Sequence, residues 1–112
     1  MKLFRRTPRL ASPTRTVTDV TATHLEIVPA GDMIIVEVDA ASVPAIQAGL
    51  RKKETVRVQT ASASVWFIPG TAIPVRDPKR GWMVPVPAQA ADALRAAPGD
   101  YELTPQLAVV VV

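Results

Sequence analysis

His24 and Glu26 stand two residues apart in a stretch that alternates polar and apolar side chains, so a strand there sets both on one face. An imidazole beside a carboxylate can relay a proton or offer two ligands to a metal ion. Two ligands do not close a site, and no H-x-H or H-x-x-E companion lies nearby, so the pair reads as a surface or half-buried strand pair. The carboxylates Asp32, Glu37, Asp39, Asp77, Asp92 and Asp100 are scattered singly over expected turns, strands and helix faces. Asp32 follows Pro-Ala-Gly and Asp100 follows Pro-Gly, which are ordinary turn positions. Ser62 and Ser64 lack a nucleophile elbow and a spare histidine. The five glycines form neither G-x-G-x-x-G nor G-x-x-x-x-G-K, so no phosphate-cradling loop is expected. These residues point away from an enzyme. No catalytic residue, metal ligand, cofactor-binding residue or cofactor is expected.

The cations are arranged with more purpose. Lys2, Arg5, Arg6, Arg9 and Arg15 give the first 15 residues a charge of +5 with no acid, while the remaining 97 residues carry 8 basic and 10 acidic groups, or −2. The basicity belongs to an arm, and a body of slightly negative balance has no reason to attract polyanions over its whole surface. Leu3, Phe4 and Leu10 are the arm's apolar anchors, and Pro8 and Pro13 keep it extended. Such a segment can lie along an acidic or apolar groove of another subunit, ordering on contact, or it can be a solubilising tail. A second basic feature is the loop Arg76 to Trp82. Arg76, Lys79 and Arg80 beside Trp82 have the composition of a nucleic-acid contact, in which arginine meets phosphate and tryptophan stacks on a base. The other reading is a solvated hairpin tip, with Trp82 covering the edge of the core and Asp77 pairing with a neighbouring cation.

The chain of 112 residues has room for one domain with one core. It has no cysteine, which removes disulfides, thiolate nucleophiles and zinc-thiolate sites and leaves the compartment unread. MKLFRR resembles the start of a signal peptide, but TPRLASPTRT supplies prolines and arginines where an apolar stretch is required. No apolar run approaches the roughly 20 residues that span a bilayer. The expectation is a protein of the cytoplasm or of a virion, with no membrane partner.

The elements follow from periodicity. Glu54 to Gln59 alternates with Val56 and Val58 on one side, and Val65 to Ile68 is apolar on both sides, so the two read as paired strands across Thr60 to Ser64. Thr16 to Val28 alternates with a register change near Asp19, which predicts a bend between two short strands. Residues 20 to 28 and 33 to 38 are expected to form a hairpin about the turn Pro29 to Asp32. Ser42 as N-cap, Pro44 in the first turn, and Val43, Ile46 and Leu50 on one face predict a helix ending near Arg51 to Lys53. A second hairpin joins Ile73 to Val75 with Trp82 to Val86, placed at a sheet edge because Pro74, Pro85 and Pro87 cannot donate. Ala88 to Ala97 reads as a second short helix with Leu94 inward, followed by strands at Tyr101 to Leu103 and at Leu107 to Val112. The last of these, LAVVVV, must be buried in this domain or in a neighbour.

The fold class is therefore α+β, mainly β: an antiparallel sheet or partial barrel of six to eight short strands with two short helices. Residues 1–16 form an extended basic arm and residues 17–112 a single β-rich domain. The expected function is non-enzymatic. A structural or assembly protein would dock through Lys2, Leu3, Phe4, Arg5, Arg6, Arg9, Leu10 and Arg15, and through its strand edges, to copies of itself or to a larger complex such as a bacteriophage virion. The alternative is a nucleic-acid-binding accessory protein that uses the arm together with Arg76, Lys79, Arg80 and Trp82.

Overall fold

A computed structural model describes Ala11 and residues 13–112. Among these residues nine strands form two mixed sheets, and neither sheet closes into a barrel. Strands β1 (Val17–Thr21), β4 (Thr55–Gln59), β5 (Ser64–Pro69), β7 (Gly81–Val86) and β6 (Val75–Asp77) make a five-stranded sheet in the order β1-β4-β5-β7-β6. Strands β2 (Leu25–Ala30), β3 (Met33–Val38), β9 (Leu107–Val111) and β8 (Gly99–Thr104) make a four-stranded sheet in the order β2-β3-β9-β8. The β-rich α+β class is as expected. The wholly antiparallel arrangement is not, because β1 runs parallel to β4, β3 to β9 and β5 to β7. These parallel pairings join strands far apart in sequence, and local periodicity carries no record of them.

The inner faces of both sheets share one core. Val20, Val56, Val58, Val65, Phe67, Val84 and Val86 of the first sheet meet Ile34, Val36, Val38, Leu107, Val109 and Val111 of the second. The alternation in β3 and β9 puts every second residue into this core, and their register pairs Ile34 with Leu107, Val36 with Val109 and Val38 with Val111. The C-terminal valine run is thus an interior strand of its own domain, parallel to β3 on one side and antiparallel to β8 on the other.

One α-helix, α1 (Val43–Arg51), crosses between the sheets and buries Val43, Ile46 and Leu50. Its expected N-cap is corrected. Ser42 makes no side-chain cap bond; it lies inside a 3-10 turn (Ala40–Ser42) that leads into the helix, and the Asp39 carboxylate accepts from the Ser42 amide at 3.1 Å. The helix ends in a Schellman motif: the Lys53 amide donates to the Leu50 carbonyl and the Glu54 amide to the Gly49 carbonyl, with Lys53 at φ +58. The second expected helix is a 3-10 segment (Ala88–Ala93) that stops earlier, with Leu94 extended and buried. Gln47 Nε2 donates to the carbonyls of Ala91 at 2.7 Å and Leu94 at 2.8 Å, which takes up two acceptors at its end.

The β4–β5 hairpin forms as predicted, and Thr60 Oγ1 accepts from the Ala63 amide to close its loop. The β2–β3 hairpin turns on Gly31 and Asp32, with Gly31 first and at φ +61, the arrangement of a type II′ turn. The bend read near Asp19 falls at Ala22 to His24, where the chain leaves the first sheet for the second. Strand β7 is interior to its sheet rather than at the edge. It tolerates Pro85 because β6 pairs only with Gly81 to Met83, and beyond that point one side of β7 faces no ladder.

Candidate functional site

Alternation leaves each sheet with an outer face, and the two faces differ in chemistry. On the five-stranded sheet the outer row Asp19, Arg57, Trp66, Met83 and Val75 runs strand to strand across the ladder. Arg57 Cζ lies 5.2 Å and Arg80 Cζ 5.7 Å from the centre of the Trp66 ring, within cation–π range. Asp19 accepts from Arg57, and Trp66 Nε1 donates to the Arg80 carbonyl at 3.1 Å. The turn that carries Arg80 is held by Asp77, whose carboxylate accepts from the Lys79 amide at 2.8 Å and the Arg80 amide at 2.9 Å. The Arg80 amide first, and the Lys79 amide after it, hold the Asp77 carboxyl below the usual carboxylate range.

The arm is rooted on this same face. The Ala11 amide donates to the Ile73 carbonyl at 3.0 Å, and Ala11 lies buried against Ile68 and Met83 in a small apolar cluster that Trp66, Ala72 and Val75 border. Three residues on, the Thr14 amide donates to Thr55 Oγ1 at 2.8 Å and the Thr55 amide donates back to Thr14 Oγ1 at 3.0 Å. Thr55 is fully buried. Next to this root a groove of about 640 Å³ is lined by Gly70 to Ala72, Pro85, Pro87 and Leu103 among others.

The four-stranded sheet carries acids on its outer face. Glu26 of β2 stands directly opposite Glu37 of β3, and the next partners in that row are Val110 of β9 and Asp100 of β8. The adjacent row is Val28, Ile35, Ala108 and Glu102. His24 Nε2 donates to Glu37 Oε1 at 2.8 Å, and the ligand atoms of His24, Glu26 and Glu37 all lie within 4.8 Å of one another. The histidine and acid singled out from spacing thus gain a third possible ligand from the neighbouring strand, although the His24–Glu37 hydrogen bond by itself accounts for the closeness of those two groups.

The sequence-predicted contact residues divide as follows. Lys2, Leu3, Phe4, Arg5, Arg6, Arg9 and Leu10 lie outside the described residues, and Arg15 is exposed. Arg76, Lys79 and Arg80 are exposed on and beside the β6–β7 turn. Trp82 is half-buried against the main core, so the aromatic that stands between cations is Trp66. Arg57 and Trp66 were not singled out from sequence; their partnership needs the β4–β5 register, although Arg57 on the polar side of an alternating strand was the available signal. The acidic face was missed too, because its four carboxylates come from three strands and look scattered along the chain. Among the described residues no helix is long and apolar enough to cross a membrane. No protein-family model matches the chain, and a search of curated proteins finds no match.

Proposed function

We propose that this is a non-enzymatic structural or assembly protein that docks through its basic N-terminal arm and its strand edges, onto copies of itself or into a larger complex such as a small bacteriophage virion. The supporting observation is the root of the arm. Ala11 and Thr14 are hydrogen-bonded to the body, so the preceding ten residues, with four of the arm's five cations, leave from a fixed point on an outer sheet face. A tethered cationic segment on a body of opposite net charge is suited to binding between like subunits. The edge strands β1, β2, β6 and β8 offer further backbone partners, and β6, at three residues, is short enough to blunt its own edge. Sedimentation of the full chain and of a chain lacking residues 1–10 tests the proposal. Association of the former and monomeric behaviour of the latter are expected; a full chain that stays monomeric at all concentrations overturns it.

The Arg57–Trp66–Arg80 cluster favours a second reading, a nucleic-acid-binding accessory protein, because the cluster and the root of the arm share one face. Arm cations, with Arg76, Lys79 and Arg80, would meet phosphates while a base stacks against Trp66. That reading requires affinity for single-stranded DNA to fall with salt at a slope near −0.7 per phosphate contacted. Salt-insensitive self-association with no DNA shift rejects it.

A further inference from the structure

We propose that the outer face of the four-stranded sheet is the receptor for the basic arm of a second copy of this chain, an inference that rests on the assembly reading and names its partner surface. Strands β2, β3, β8 and β9 contain no lysine or arginine, and the outer face presents Glu26, Glu37, Asp100 and Glu102. Between these acids lie Val28, which is 43 % exposed, and the half-buried Ile35, Ala108 and Val110. The surface therefore offers four carboxylates around an apolar strip. The first ten residues carry the complement, Lys2, Arg5, Arg6 and Arg9 interleaved with Leu3, Phe4 and Leu10.

The match is chemical as well as numerical. A guanidinium forms paired hydrogen bonds with a carboxylate, and Glu26 stands directly opposite Glu37, of which His24 Nε2 bonds only Oε1, so the two like charges still favour a cation between them. The apolar strip gives Leu3 and Phe4 somewhere to bury while the cations stay at its rim.

The occupant is a second copy because of where the arm starts. Its root at Ala11 and Thr14 lies on the outer face of the five-stranded sheet, and the receptor is the outer face of the other sheet, across the shared core. An arm that leaves one face and a receptor on the other make a head-to-tail contact, which generates rings or open chains rather than a closed pair. Copies joined this way would extend indefinitely or close into a ring, as assembly components do.

Sedimentation of three chains tests this: the full chain, a chain lacking residues 1–10, and a full-length chain carrying E26Q, E37Q, D100N and E102Q. The full chain should associate and weaken with salt, while each variant alone stays monomeric. An equimolar mixture of the two variants should form a 1:1 complex, since one keeps the face and the other keeps the arm. In that complex the arm of the substituted chain would lie on the native acidic face of the truncated chain. A substituted full-length chain that associates like the unmodified one, while the truncated chain does not, overturns this inference and leaves the assembly reading standing. A full chain that never associates overturns both. As an independent readout, a peptide of residues 1–11 added to the ¹⁵N-labelled truncated chain should shift the amides of Glu26, Ile35, Glu37 and Val110. Shifts confined to Gly70 to Ala72 and Leu103 would place the arm in the groove beside its root and overturn the proposal.

Discussion

Asp39 joins three parts of the chain at one carboxylate. It accepts from the Thr23 amide at 3.0 Å, the His24 amide at 3.2 Å and the Ser42 amide at 3.1 Å, and from the Ser42 hydroxyl, so it fixes the crossing between sheets and the entry to α1 together. Burial pushes its carboxyl up, and the bonds from Ser42, His24 and Thr23 outweigh that and hold it below the usual value of 3.8. A depressed carboxylate contributes stability that is complete above its unfolded pKa and is lost as pH falls through the folded one. Thermal melts from pH 7 downward should show no loss from this group until below about pH 4. Asp39→Asn should keep part of the cap while flattening that acid limb, and Asp39→Ala should cost about 1–2 kcal/mol at pH 7 in denaturant unfolding. Glycine inside a helix costs about 1 kcal/mol relative to alanine, and at Gly49 packing is the reason for it. A Cβ there would lie 2.5 Å from Val56 Cγ2, a stiff and fully buried side chain. Gly49→Ala should therefore destabilise by about 1–3 kcal/mol despite its better helix propensity. Lys53, left-handed at the end of α1, predicts the opposite sign: Lys53→Gly should stabilise by up to about 1 kcal/mol, read as a higher denaturation midpoint.

At the scale of elements, strands were the more legible class. Alternation in Thr55–Gln59 and the apolar run of Ser64–Pro69 identify β4 and β5 and their pairing, because a two-faced strand writes its burial into every second residue. The second helix was misread because an alanine-rich stretch satisfies helix propensity, whereas its length was settled by Gln47 bonding to the Ala91 and Leu94 carbonyls from another element. Gln47→Ala removes this donor from the Leu94 carbonyl and leaves the Ala91 carbonyl with only the Leu94 amide, and should cost about 1–3 kcal/mol. For β9 the sequence demanded burial without naming the partner. With β3 on one side and β8 on the other, deletion of Val109 to Val112 should abolish the cooperative unfolding transition of the monomer. A truncated chain that still melts cooperatively would contradict the central position of this strand.

For the whole molecule, the bonds at Ala11 and Thr14 predict where truncation begins to hurt. Removal of residues 1–10 keeps every described hydrogen bond, so the melting temperature should stay within a few degrees. Removal of residues 1–16 strips the partners of Thr55 and exposes the cluster around Ile68 and Met83, and should lower it by about 4 °C or more. The order of residues by itself determined the division of charge between arm and body, the absence of cysteine chemistry, and the β-rich class, since each follows from counts along the chain or from periods of two along one strand. Tertiary structure alone decided which strands are parallel neighbours, that Trp66 rather than Trp82 stands between arginines, and that Glu26, Glu37, Asp100 and Glu102 share one surface. The reason is the same in all three cases: each depends on contacts between residues remote in sequence, and a one-dimensional pattern records which way a side chain faces but not what faces it.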